Sequence, residues 1–122
     1  MDIERHKQFI KKHYAEYKKI GHVECPAFDG EKVYFNRHGF RHLVRKGHYL
    51  RDIEEQIERL QLLVHAPSVV GSSKKFRDFN KNKSEGNANF WSFIQTHQDI
   101  KIIVVVRQMK GGTKHFFSIM RG

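Results

Sequence analysis

The sequence predicts an α+β fold, with two to three helices packed on an antiparallel sheet of three to five strands, in a single domain of 122 residues. Three observations predict it. Apolar residues recur at helical steps up to Pro67, the pattern turns extended beyond it, and Gly-, Asn- or Asp-bearing turns separate the later segments.

The segment from Asp2 to Ile20 reads as an amphipathic helix, because Ile3, Ile10, Tyr14 and Tyr17 share one stripe and lysines 7, 11, 12, 18 and 19 mark the wet side. Gly21 stops it. A hairpin over 22–35 follows, His22 to Phe28 and Glu31 to Phe35, turned at Asp29-Gly30, with Pro26 confining its first piece to a sheet edge. The stretch 36–65 holds two helices. Asn36 is placed to cap the first, which runs to Lys46 with Phe40, Leu43 and Val44 inward and Gly47 beyond its end. In the second, Leu50, Ile53, Ile57, Leu60 and Val64 alternate steps of three and four, Asp52, Glu54, Glu55 and Glu58 lie opposite, and Pro67 ends the run.

Residues 68–122 form an antiparallel meander. Val69-Val70 start a strand that resumes near Phe76 and Phe79, and the polar stretch from Asn80 to Asn87 is a loop. Three strands close the chain, Asn89 to Thr96, Lys101 to Met109 and Thr113 to Arg121, joined at Gln98-Asp99 and, as a type I′ turn, at Gly111-Gly112. No internal repeat interrupts this order.

Composition excludes several classes of protein. The longest apolar run, Ile102 to Val106, falls far short of the ~20 residues of a spanning helix, so no membrane partner is expected. No apolar stretch follows Met1, and the lone Cys25 has no disulfide partner, which points to a reducing, cytoplasmic setting. Twenty-three Lys and Arg oppose 13 Asp and Glu, a net charge of +10, so a polyanion is the expected partner. The excess is uneven. Residues 59–122 hold 11 cations against three acids, and the stretch from Asn36 to Arg51 has Arg37, Arg41, Arg45, Lys46 and Arg51 with no acid at all. Those like charges repel one another unless a ligand compensates.

Metal chemistry has little footing in the sequence. A Mg²⁺ nuclease needs converging carboxylates, yet the one acidic cluster lies on the back of the second of these helices. His38 and His42, four apart, have chelating spacing, but Gly-Phe-Arg between them lacks the glutamate of an HExxH site, and adjacent arginines oppose a dication. No metal or cofactor is expected.

Metal-free RNA cleavage needs a base for the 2′-hydroxyl, an acid for the departing oxygen and cations for the charged phosphorane. With Phe40, Leu43 and Val44 inward, His38, His42 and Arg45 take the opposite face of the short helix, with Arg41 at its flank. Positive surroundings keep such a histidine neutral and competent as a base. On the last hairpin, a Gly111-Gly112 turn pairs Arg107 with Phe116 and Val105 with Ser118, so Arg107, Lys114, Phe116 and Ser118 share the open face. Arg107 and Ser118 are then placed for a phosphate and Phe116 for a base, whereas Lys114 is equally explained by plain exposure. His115 falls on the helix-packed face with Val104, Val106, Phe117 and Ile119. It is a buried histidine or the mark of a bulge, and since a one-residue slip exchanges the faces it stays among the substrate-binding candidates.

The stretch VYFNRHGFRHLVRKG and the terminal IIVVVRQMKGGTKHFFSIMRG resemble, respectively, the strand-then-helix entry with its histidine and the closing hairpin of the metal-independent RNases and toxins that include barnase, EndoU, colicin-type tRNases and RelE-like endoribonucleases, in particular phage-associated members. The resemblance covers Lys32 to Gly122. It implies a RelE/barnase-like sheet with helices on it, RNA as substrate and no metal. It also implies His42 as the helix histidine, Arg107 as the sheet cation, Ser118 as the small hydroxyl residue of the final strand, and a cognate antitoxin or immunity protein as partner. The helix from Asp2 to Ile20 lies outside it. Two other readings stay open: a non-catalytic RNA- or DNA-binding module, and a basic interaction or inhibitor protein whose cationic face docks an acidic partner.

Overall fold

Each helix of the molecule begins where a polar side chain can satisfy its first backbone donors or a proline needs none. In the computed structural model, which describes residues 2–82 and 86–122, Asp2 caps α1 (Ile3–Lys18), Asn36 caps α2 (Arg37–Val44), Asp52 caps α3 (Ile53–Leu62), and Pro67 opens α4 (Ala66–Ser72). The strands are β1 (His22–Cys25), β2 (Glu31–Tyr34), the two-residue pair β3 (Arg45–Lys46) and β4 (Tyr49–Leu50), then β5 (Asp78–Asn82), β6 (Ala88–His97), β7 (Ile100–Gln108) and β8 (Lys114–Arg121).

Six strands form one sheet in the order β1-β2-β8-β7-β6-β5, one more than the upper expectation, because the N-terminal hairpin joins the C-terminal meander. All pairings are antiparallel except β2 with β8, which is parallel and meets only at Tyr34↔His115. Beyond that point α2 and α3 lie against β8, and Arg59 of α3 donates to the Ile119 carbonyl (3.3 Å), giving one of the strand's acceptors a partner. The protein is thus α+β with a mostly antiparallel sheet, and among the described residues no helix is long and apolar enough to cross a membrane.

The core lies on the sheet face that carries Trp91, Phe93, Val104, Val106, Phe116 and Ile119. Tyr17 of α1 reaches into it, meeting Phe35, Phe40 and Phe116 and donating from its hydroxyl to the Asn36 carbonyl (2.6 Å). Val69 and Val70 of α4 are fully buried there.

Several expectations change. Val69-Val70 begin no strand: Pro67 starts a helical turn rather than ending one, since its missing N–H costs nothing at that position. The first hairpin turns through a 3-10 segment at Pro26–Phe28, with Asp29 and Gly30 at positive φ after it. The short helix ends at Val44, and Arg45–Lys46 fold back on Tyr49–Leu50 around Gly47. Helix α3 buries Gln56, Leu60 and Leu62, leaving the expected apolar-stripe residues Leu50 and Val64 exposed. Strand β5 extends into the expected loop as far as Asn82, and residues 83–85 of that loop lie outside the described residues.

The hairpin turns also exchange roles. Gln98 and Asp99, both at positive φ, form a two-residue turn closed by His97↔Ile100, whereas β7 and β8 are joined by the five residues between the paired Gln108 and Lys114. The register holds as expected at Val105↔Ser118, then slips at a bulge, giving Val106↔Phe116 and Arg107↔His115. Phe117 is the extra residue.

Candidate functional site

That bulge decides what surrounds Arg107. Phe116 stays in the core, fully buried and stacked on Phe35 at 5.2 Å, and is not available to stack on a base. Phe117 takes the other direction. Its ring lies 4.1 Å from the His42 ring, 4.6 Å from the Arg107 guanidinium and 5.3 Å from the Phe90 ring, so an aromatic surface separates the helix histidine from the strand arginine.

His42 and Arg107 line one depression, together with His38, Arg41, Arg45 and Gly47. A wider hollow of ≈ 600 Å³ continues from it past Lys46, Asn80, Asn82 and Phe90. Among the described residues no acid lines either part. Helix α2 presents the histidine because Phe40 and Leu43 are buried beneath it, leaving His38 and Arg41 exposed and His42 half-covered at the rim. The β3–β4 turn supplies the opposite lip through Lys46 and Gly47.

Electrostatics keep His42 neutral. Burial first, then the charges of Arg51, Arg59, Arg107 and Lys46, push its pKa down to about 4. Its Nδ1 is buried and has no hydrogen-bond partner among the described residues. Arg107 Nε donates to His115 Nε2 (3.0 Å), and since a guanidinium only donates, Nε2 is unprotonated and the ring proton of neutral His115 sits on Nδ1. Burial and then Arg107 lower the His115 pKa to about 4, while a hydrogen bond with the Thr113 backbone acts in the opposite direction. His115 therefore faces Arg107 rather than the helix-packed core; at 5% exposure it orients the guanidinium and does not reach a ligand.

Behind the depression lies a network that the sequence did not announce. Arg51 donates through Nε to the His42 carbonyl (3.0 Å) and through Nη1 to Glu55 Oε1 (2.7 Å); Arg59 shares that carboxylate at 3.2 Å. Two largely buried guanidiniums thus depend on one half-exposed acid. Ser118 belongs here too: it is 1% exposed and its hydroxyl accepts from Arg59 Nη1 (2.7 Å), which withdraws it from the depression. Lys114 is also elsewhere, paired with Glu31 (2.8 Å) and set over the Phe28 and Trp91 rings. Of the sequence-derived residues, His38, Arg41, His42, Arg45 and Arg107 meet, His115 supports, and Ser118, Lys114 and Phe116 do not take part.

Lys46 belongs to the basic stretch the sequence marked, whereas reasoning from sequence missed Phe90, Phe117, Asn80 and Asn82 as site residues and the Arg51–Glu55–Arg59 network. Only the i, i+4 spacing of Arg51, Glu55 and Arg59 was a readable signal. Among the described residues no group of three or more His, Cys, Asp or Glu is placed to hold a metal ion. Compared with protein-family models, with curated proteins and with solved structures, the chain matches none.

Proposed function

We propose that the protein is a metal-independent endoribonuclease of toxin type, akin to the barnase, EndoU, colicin and RelE-like nucleases, acting in the cytoplasm and held in check by a cognate antitoxin or immunity protein. One observation carries the reading: a neutral, half-buried histidine and a strand arginine line the same depression, whose lip holds Arg41 and Arg45 and which no acid lines among the described residues.

In this reading the scissile phosphate lies on Arg107, which His115 holds in place, and on Arg41 or Arg45. His42 takes the 2′-hydroxyl proton. A base whose pKa is about 4 is weak; burial is the main cause, and of the cations that add to it Arg107 and Lys46 line the hollow, so a phosphate bound there offsets their part of the depression. The 2′-oxygen attacks the adjacent phosphorus, the 5′-oxygen leaves with a proton from His38 or water, and the products are a 2′,3′-cyclic phosphate and a 5′-hydroxyl. The guanidiniums stabilise the extra charge of the phosphorane. Phe90 and Phe117, with Asn80 and Asn82, offer an adjoining bed for a base.

The test is incubation of the purified protein with mixed RNA in excess EDTA. Cleavage with cyclic-phosphate ends, abolished in His42→Ala and reduced at least a hundredfold in Arg107→Gln, supports the reading. Intact RNA bound with steep salt dependence would make the protein a non-catalytic nucleic-acid-binding module, and no affinity for RNA or DNA would leave a basic interaction protein.

A further inference from the structure

A second concavity lies on the other side of α2. Its floor is apolar, made by Ile10 and Tyr14 of α1 and Phe40 and Val44 of α2, and it encloses ≈ 450 Å³. Its rim is Lys11, Arg37, Arg41 and Arg45. None of these four makes an ion pair among the described residues, and the acids of α1 are engaged elsewhere, Glu4 with Lys7 and Glu16 with Lys19. The floor is half-buried, with Phe40 covered and Ile10, Tyr14 and Val44 partly open, and uncompensated like charge around it is unfavourable. A ligand with a flat apolar body and a negative edge fits the floor and relieves the charge of the rim.

Arg41 and Arg45 line this groove and the His42–Arg107 depression alike. They form a cationic crest between the two. We infer that the α1–α2 groove is a subsite for the RNA strand continuing beyond the cleft, seating one unpaired base on Tyr14 and its neighbouring phosphates on Arg37 and Lys11. The inference rests on the cleft being an RNA site. An acidic amphipathic peptide has similar chemistry, but a docked helix needs several apolar anchors spaced along its length. This groove is one site of small-ligand size, continuous with a second anion-binding hollow, which is the layout of a single strand crossing a ridge.

The experiment compares a labelled 2′-O-methyl RNA hexamer, which cannot be cut by 2′-hydroxyl transfer, with a dinucleotide too short to span the crest. Lys11→Gln/Arg37→Gln removes two exposed charges outside the cleft, and Tyr14→Leu removes the ring while keeping apolar volume. Fluorescence anisotropy of the charge variant is expected to show hexamer binding weakened about tenfold, with the salt slope reduced by about 1.4 for two lost phosphate contacts. Tyr14→Leu should weaken the hexamer about fivefold with the slope unchanged. Dinucleotide binding should stay within about twofold of the parent in both. Equal effects on hexamer and dinucleotide, or no effect on either, overturn the subsite. So does a hexamer that binds every variant equally while an acidic amphipathic peptide loses affinity in Lys11→Gln/Arg37→Gln, which would assign the groove to a protein partner. Absence of RNA cutting by the parent protein refutes the nuclease reading alone, because the hexamer comparison still decides the groove.

Discussion

Gly39→Ala separates local preference from packing, because the two predict opposite signs. Gly39 is helical, and exchanging a helical glycine for alanine favours the folded state by about 1 kcal/mol. A Cβ at this position, however, would lie 2.3 Å from the Phe116 carbonyl oxygen, 2.7 Å from Phe116 Cδ2 and 2.9 Å from the Tyr17 hydroxyl. Two of these neighbours cannot yield cheaply. One is backbone in the middle of β8, and the other belongs to a ring stacked on Phe35. Helix α2 must therefore retreat by roughly 1 Å, which overpacks the layer at about 1–3 kcal/mol and strains the Tyr17–Asn36 hydrogen bond, worth about 1 kcal/mol. The net expectation is destabilisation of about 2 kcal/mol, or a melting temperature lower by about 8 °C. Urea titration and thermal melting measure it, and RNA affinity should fall in parallel because His42 sits on the helix that moves. A Gly39→Ala protein as stable as the parent, or more so, would refute the close approach of α2 to β8 and with it the position given to His42.

Acid should destabilise the fold. His42 and His115 have folded pKa values near 4, below the ordinary 6.5, so between those values the unfolded chain binds more protons. Their contribution is intact above pH 6.5 and lost as pH falls toward 4, about 3 kcal/mol for the well-buried His115; unfolding measured across this window should slope less in His115→Gln. Glu55→Gln leaves Arg51 and Arg59 without their shared carboxylate. Because Glu55 is 41% exposed on its side chain, the loss should be about 1–2 kcal/mol in urea titration rather than that of a wholly buried pair. Ser118→Ala should lower stability by about 1 kcal/mol and leave RNA cleavage by the remaining folded protein unchanged; a loss of cleavage rate like that of His42→Ala would return Ser118 to the chemistry. Lys114→Gln should likewise spare cleavage, since its ammonium sits on Glu31, Phe28 and Trp91.

By itself the sequence determined what local chemistry can determine. Asn36 satisfies a helix donor wherever that helix goes, the β-branched run from Ile102 to Val106 favours an extended chain, and Arg37, Arg41, Arg45 and Lys46 follow one another with no acid between them, so α2, the central strands and the basic character of the site were all readable. The tertiary structure alone decided which side chains face one another. A single extra residue at Phe117 reverses the facing of every side chain between the bulge and the turn, since strand side chains alternate. That exchanged Phe116 for Phe117, brought His115 to Arg107, and left Ser118 to a guanidinium from α3. His115 on an otherwise apolar face was the one local hint of such a bulge, and it could not place the extra residue, because the bulge is set by packing between residues distant in the chain.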